Sequence, residues 1–112
     1  MSWDDNPYYN PEKWGLEKVA ELDFSSGSYE FNLTSVWTKE GEESFYWADD
    51  SGCSCPSPFE DVRGVEELQR GGFKQLRDHL NSRYDDQYSL YVKLRDLHPV
   101  LEELKDISED WQ

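Results

Sequence analysis

Hydrophobic and polar residues alternate between residues 16 and 48, which predicts three antiparallel β-strands joined by two short turns. The apolar positions of this alternation are Leu16, Ala20, Leu22 and Phe24, then Tyr29, Phe31, Leu33 and Trp37, and then Phe45 and Trp47. A four-residue turn over residues 25–28 would place Ala20 across from Leu33 and put the apolar positions on one face. The second turn contains Gly41, where a positive φ is expected.

The same register would concentrate carboxylates on the opposite, outer face of the sheet. Asp23 would lie directly across from Glu30, with Glu21 and Glu17 further along the first strand. Like charges that face each other on a sheet are destabilising. Such a face is either a solvated surface, screened by salt, or a surface shaped to meet a basic partner.

Helical spacing begins after residue 64. Apolar residues at 65 and 68 predict a short helix, and those at 73, 76 and 80 predict a second one after a break at two glycines. Five leucines then follow at steps of four and three, which is the spacing of a coiled-coil contact: Leu90, Leu94, Leu97, Leu101 and Leu104. Pro99 should kink or restart this helix. Packing on the sheet explains these leucines, and a weak dimer through them is the alternative.

These patterns predict a single α+β domain over residues 1–112. Its fold would be a three-stranded antiparallel β-meander over residues 16–48, with two or three C-terminal helices over residues 65–108 packed on one face. Residues 1–15 would form an aromatic arm laid on the domain, with one helical turn between Pro11 and Gly15. Two prolines and two glycines predict an irregular loop over residues 49–64.

The net charge of the chain argues against two classes of binding partner, nucleic acids and anionic membranes. The chain has 112 residues, a formal net charge of -14 and a sequence pI of about 4.3. Residues 1–60 hold 13 of the 25 acidic residues but only 3 of the 11 lysines and arginines. Direct binding to nucleic acid or to an anionic membrane needs a basic surface, and none is predicted. With no signal peptide or long apolar segment in the sequence, we expect a cytoplasmic protein.

Cys53 and Cys55 are the most chemically suggestive pair, because two thiols this close can bind a metal. A structural zinc site needs four ligands, and His79 and His98 are the only histidines that could complete one. Alternatively, both thiols pack beneath the loop. No catalytic motif positions either histidine, so the sequence predicts neither an enzyme nor a bound cofactor.

One segment carries a family resemblance. Residues 49–59 read DDSGCSCPSPF, and they follow an aromatic strand and an N-terminal Asn10, Pro11 and Glu12. This pattern resembles a family of small, acidic, uncharacterised proteins from phages of actinobacteria, mycobacteriophages among them. The resemblance covers roughly the first 60 residues. It implies expression in a host bacterial cytoplasm, and it implies no activity.

The sequence therefore predicts a non-catalytic protein that binds a host or phage protein with a basic surface. One mode of such binding is to imitate the charge of nucleic acid. The predicted contact residues are carboxylates of the sheet and loop: Glu17, Glu21, Asp23, Glu30, Asp49 and Asp50. Two alternatives stay open. One is a zinc-stabilised module built on Cys53 and Cys55, and the other is a virion or assembly component that oligomerises through the leucines.

Overall fold

A computed structural model describes residues 11–23, 30–53, 65–84 and 89–111 and has an α+β fold. A four-stranded antiparallel sheet in the order β1-β2-β3-β4 consists of β1 (Leu16–Asp23), β2 (Glu30–Lys39), β3 (Phe45–Cys53) and β4 (Gln69–Gly71). The α-helices are α1 (Phe73–Arg83), α2 (Leu90–Val92) and α3 (His98–Glu109). The predicted class is confirmed. The predicted number of strands was too low by one, because residues 69–71, expected between two helices, pair with β3.

The register of β1 on β2 differs from the predicted one. Ala20 pairs with Val36 rather than with Leu33. The pairing of Leu16 with Lys39 already differs from the predicted register by two residues, and a β-bulge between Lys18 and Ala20 adds a third. A bulge inserts one extra residue into one strand and so exchanges the faces on which later side chains lie. Asp23 consequently pairs with Leu33. The predicted opposition of Asp23 and Glu30 was wrong, since Asp23 lies three residues further along β2, across from Leu33.

Strand β3 is longer than expected. The sequence predicted a loop from residue 49, whereas β3 continues to Cys53 and pairs with the first half of β2. Asp, Ser and Gly are poor strand residues, but the backbone hydrogen bonds offered by β2 outweigh that weak local preference. Asp49 and Asp50 are therefore strand residues. Residues 54–64 of the predicted loop, with Cys55, lie outside the described residues.

The helices cover one face of the sheet, as predicted, and form the helix-side core with it. Buried side chains from both layers make up this core: Leu22, Val36, Phe45, Trp47, Leu76, Leu80, Tyr84, Leu97 and Leu104. Each fully buried large apolar side chain contributes about 1.5 to 3 kcal/mol. Gly71 allows the close approach of β4 to this core, since a Cβ there would lie 3.0 Å from a ring carbon of Trp47.

The opposite face is not the solvated acidic surface that the sequence predicted. It carries a second apolar group, the outer cluster, formed by buried Leu16, Leu33, Trp37, Tyr46 and Leu68. Trp14 packs against it from a 3-10 helix over Pro11–Trp14, and Gly15 ends that helix with φ 74°. The predicted helical turn is thus confirmed. The other aromatic residues of the predicted arm, Trp3, Tyr8 and Tyr9, lie outside the described residues.

The C-terminal helix runs from α2 to α3 through a π-helical segment, Lys93–Leu97. Pro99 has no N–H and would clash with the preceding turn of a regular α-helix, and the wider π turn just before it relieves this conflict. The leucine series divides along this helix. Leu97 and Leu104 are buried, whereas Leu90 and Leu94 are 71% and 56% exposed. In the described residues, none of the helices combines the length and the apolar character that crossing a bilayer requires.

Candidate functional site

A groove of about 620 Å³ opens at the end of the sheet that holds the β2–β3 turn. We call it the acidic groove. Its walls come from four parts of the chain, namely the first 3-10 helix, the start of β1, the turn and the end of α3. The lining residues are Glu12, Gly15, Leu16, Glu17, Thr38, Lys39, Glu40, Gly41, Glu42, Glu43, Ile107 and Trp111. Five glutamates therefore surround one lysine.

Local backbone geometry places these glutamates. Gly41 has φ 84°, as predicted, and allows the β2–β3 turn to reverse tightly, so that Glu40 and Glu43 flank it. The Glu42 N–H donates to the Lys39 carbonyl at 3.0 Å and closes the turn. Glu17 pairs with Thr38 before the bulge, and it therefore lies on the helix side of the sheet, toward the groove.

Most of the acidic charge in the groove is not neutralised by a nearby cation. Among the described residues, no ion pair joins a lysine or arginine to four of the five carboxylates, those of Glu12, Glu17, Glu40 and Glu43. All four are exposed. A concave surface lined by charges of one sign concentrates the electrostatic field and attracts ions of the opposite sign.

Glu42 is the exception, because three side chains hold it. Tyr46 Oη donates a hydrogen bond to Glu42 Oε1 at 2.7 Å, and Arg70 Nη2 and Lys39 Nζ lie 3.2 and 3.6 Å from its carboxylate oxygens. The hydrogen bond from Tyr46, with the charges of Arg70 and Lys39, holds the pKa of Glu42 below its ordinary value. Burial, reinforced by the same hydrogen bond, raises the pKa of Tyr46. Glu42 is thus a fixed anion at the edge of the groove.

The floor of the groove is apolar and ends in an aromatic ring. Ile107 and Trp111 both pack against the helix-side core, and the Trp111 ring lies 4.7 Å from that of Phe45, centroid to centroid. These residues lie in and just beyond the last turn of α3. The C-terminal end of a helix carries a partial negative charge, which adds to that of the carboxylates.

This combination fits one class of ligand. A guanidinium or ammonium group is attracted by the carboxylates and by the face of an indole ring. The aliphatic part of a lysine or arginine side chain can lie on an apolar floor while its charge meets the acidic wall. The groove is therefore suited to a basic side chain of a peptide or protein segment.

The structure does not bring the six predicted contact residues together. Glu17 lies in the acidic groove, whereas Glu21 and Asp23 follow the bulge and lie on the face of the outer cluster. Glu21 pairs there with Lys18 at 3.1 Å. Asp50 lies on the same face as Tyr46, and it accepts a hydrogen bond from the Ser51 N–H. The side chain of Glu30 lies outside the described residues.

Asp49 lies at the centre of a polar group between the sheet and α1, which we call the Asp49 cluster. Its carboxylate oxygens lie 3.0 and 2.9 Å from His79 Nε2, and one of them lies 3.8 Å from Arg83 Nε. It also accepts a hydrogen bond from the buried hydroxyl of Thr34. Arg83 donates to Thr34 Oγ1 at 3.2 Å and to Asn32 Oδ1 at 2.7 Å.

The Asp49 cluster has the geometry of a structural hydrogen-bond network rather than that of a catalytic triad. In a nucleophilic triad the imidazole contacts the hydroxyl and the carboxylate orients the imidazole. Here the carboxylate of Asp49 lies between the hydroxyl of Thr34 and the imidazole of His79. Thr34 is fully buried, and its oxygen already accepts from Arg83. The cluster ties α1 to β2 and β3.

The two histidines considered for a metal site have different partners. His79 contacts Asp49, while His98 lies on α3, 3.5 Å from Glu102. Cys53 contributes its backbone to β3, and its side chain and Cys55 lie outside the described residues. Within residues 11–23, 30–53, 65–84 and 89–111, no three His, Cys, Asp or Glu side chains are grouped as metal ligands would be.

Sequence reasoning found only one acidic residue of the groove, Glu17. The β2–β3 turn does carry a signal in the sequence, because three acids lie within four positions around a glycine: Glu40, Glu42 and Glu43. The contribution of Trp111 has no local signal. It depends on where the end of α3 packs, and only the tertiary structure determines that.

A family model described as "Domain of unknown function (DUF7574)" matches residues 5–110. No curated protein matches the chain. No solved structure matches it either.

Proposed function

This chain belongs to the DUF7574 family, and we propose that it is a non-catalytic protein that binds a basic segment of another protein in its acidic groove. The observation that carries the proposal is the combination of four carboxylates without a cationic partner among the described residues and the apolar floor at Trp111. A purely solubilising excess of acid requires no concave site and no apolar floor. The resemblance to actinobacterial phage proteins makes a host or phage protein the expected partner, in the host cytoplasm.

The charge of the whole chain supports the same function. A net charge of -14 accelerates encounters with basic surfaces and repels nucleic acid. Among proteins with basic surfaces, the groove then favours those that present a lysine or arginine able to reach the Trp111 indole. A surface that presents carboxylates in this way also imitates part of the charge pattern of nucleic acid, which would let it occupy a basic nucleic-acid-binding surface.

The test is a titration with a short basic peptide. The probe contains two arginines, a glycine, a leucine, a glycine and two glutamines, with blocked ends. Binding is followed by the NMR signal of the Trp111 indole N–H, which the variant Trp111→Phe identifies among the five tryptophans. We expect this signal to shift at low salt, and the affinity to fall as salt rises.

Two variants with the same net charge separate the groove from the overall charge. The groove variant changes its four unpaired glutamates to glutamine: Glu12, Glu17, Glu40 and Glu43. The control variant neutralises four exposed carboxylates elsewhere: Glu66→Gln, Glu102→Gln, Glu103→Gln and Asp106→Asn. Four exposed pairs at about 0.4 kcal/mol each predict a roughly tenfold weaker affinity for the groove variant. If both variants lose affinity equally, the groove is not the binding site.

The same two variants identify the natural partner. The full chain, the groove variant and the control variant serve as bait in a lysate of an actinobacterial host. A partner of the groove is retained by the full chain and by the control variant at low salt, and it is lost from the groove variant. Proteins retained equally by all three respond to overall charge, and recovery of only such proteins would contradict the proposal.

A further inference from the structure

The acidic groove continues past Trp111 into a second depression of about 530 Å³. The two depressions share Glu43 and Trp111 as lining residues, so that both border the same indole. The second depression, which we call the lysine pocket, is otherwise lined by the start of α1 and by α3: Gly72, Phe73, Lys74, Gln75, Lys105, Ser108 and Glu109.

The two depressions differ in charge. The acidic groove has five glutamates and one lysine, whereas the lysine pocket has two lysines and two carboxylates, Glu109 and the shared Glu43. In the part of the chain that the structure describes, neither Lys74 nor Lys105 forms an ion pair with a carboxylate. Both lysines are exposed. Along the two depressions the formal charge therefore changes from strongly negative, past an aromatic ring, to balanced, in a region whose two lysines form no ion pair with any described residue.

From this change we infer that the bound segment is itself dipolar: it carries a basic side chain, then an apolar side chain on Trp111, then an acidic side chain in the lysine pocket. The inference rests on the proposed function, because the basic side chain occupies the acidic groove. Charge complementarity decides the order of the three side chains. An entirely basic segment would place a cation beside Lys74 and Lys105, where repulsion disfavours it.

The order of charges can be tested without changing the composition of the peptide. The dipolar probe has two arginines, a glycine, a leucine, a glycine and two glutamates. The mixed probe has the same residues with each arginine next to a glutamate, one such pair on either side of the glycines and the leucine. Both probes have the same composition and the same net charge, so that a difference in affinity reports the order of the charges. Affinities are measured from the Trp111 indole signal at low salt.

We expect the dipolar probe to bind about threefold to fivefold more tightly than the mixed probe, which is the range that exposed ion pairs provide. The double variant Lys74→Gln/Lys105→Gln should abolish this difference. The matched control, Arg77→Gln/Lys93→Gln, removes two cations from outside both depressions and should preserve it. Circular dichroism spectra of all variants verify that they are folded.

The outcomes distinguish this inference from the proposed function. Equal affinities for the two probes would contradict the inference that the bound segment is dipolar. An unchanged preference of Lys74→Gln/Lys105→Gln for the dipolar probe would contradict it as well. If the basic peptide described above still shifts the Trp111 signal in that case, the acidic groove stands as a site for basic segments. If no probe shifts the signal at low salt, both conclusions fail.

Discussion

Replacing Asp49 with asparagine should destabilise the fold and leave the acidic groove intact. The change keeps the shape of the side chain but removes one acceptor and the negative charge that Thr34, His79 and Arg83 share. A hydrogen bond to a charged acceptor contributes about 1.5 to 3 kcal/mol when it is sheltered. The Asp49 side chain is 35% exposed, so solvent screening reduces that range, and asparagine still accepts one hydrogen bond. We therefore expect a loss of about 1 to 2 kcal/mol.

Thermal unfolding followed by circular dichroism measures this loss. For a chain of this length, about 1 kcal/mol corresponds to roughly 4 °C, so Tm should fall by about 4 to 8 °C. The control is Asp78→Asn on the outer side of α1, where a 62% exposed carboxylate pairs with the neighbouring Arg77. That change should cost less than about 0.5 kcal/mol.

A double-mutant cycle with His79→Gln tests the cause. Because His79 contacts the Asp49 carboxylate directly, the two changes should be non-additive by about 0.5 to 1 kcal/mol. If Asp49→Asn destabilises the fold no more than Asp78→Asn does, or if the cycle is additive, the Asp49 cluster does not stabilise the packing of α1 on the sheet. The affinity of the basic peptide should change by about twofold or less in Asp49→Asn, since Asp49 does not line the groove.

Three further predictions concern the core, the leucine series and the turn. Gly71→Ala should cost about 1 to 3 kcal/mol in urea unfolding, because the new methyl group overpacks the core at 3.0 Å, and a loss below about 0.5 kcal/mol would contradict this. Leu104→Ala should cost about 2 to 5 kcal/mol in the same assay while Leu90→Ala costs less than about 0.5 kcal/mol, and equal losses would contradict the division of the leucines between core and surface. Tyr46→Phe should raise the pKa of Glu42 toward its ordinary value of 4.5 in a carboxyl NMR titration, and an unchanged pKa would show that Arg70 and Lys39 suffice. Since a depressed pKa stabilises the fold above pH 4.5 and that contribution is lost as pH falls through the folded-state pKa, Tyr46→Phe should also lose less stability on acidification.

Local signals in the sequence predicted the elements of the sheet but not how its strands are aligned. Alternation located β1 and β2, and Gly41 marked the turn between β2 and β3 because only that residue there adopts a positive φ at low cost. The bulge after Lys18 has no such signal, since neither glycine nor proline occurs at residues 18–20. One inserted residue changed the partner of every later position in β1.

The site was harder to predict than the fold for a related reason. The predicted contact residues were grouped by strand parity, and the bulge separated Glu17 from Glu21 and Asp23. Asp49 was predicted to lie in a loop, with its charge available to a partner, whereas its place on β3 brings its carboxylate into hydrogen bonds with Thr34 and His79. The acidic groove joins four segments that are distant along the chain, so that its shape depends on tertiary packing, which periodicity does not describe.

The bulge in β1 makes this edge of the sheet less able to pair with a strand of another molecule. β1 is an edge strand, and a regular edge offers evenly spaced N–H and C=O groups to which another strand can add. The extra residue at position 19 disrupts that spacing, and the neighbouring Lys18 brings a charge that an incoming strand would have to desolvate. At the other edge, β4 has only three residues. Both borders of the sheet thus resist strand addition, which is the route by which exposed strand edges lead to aggregation.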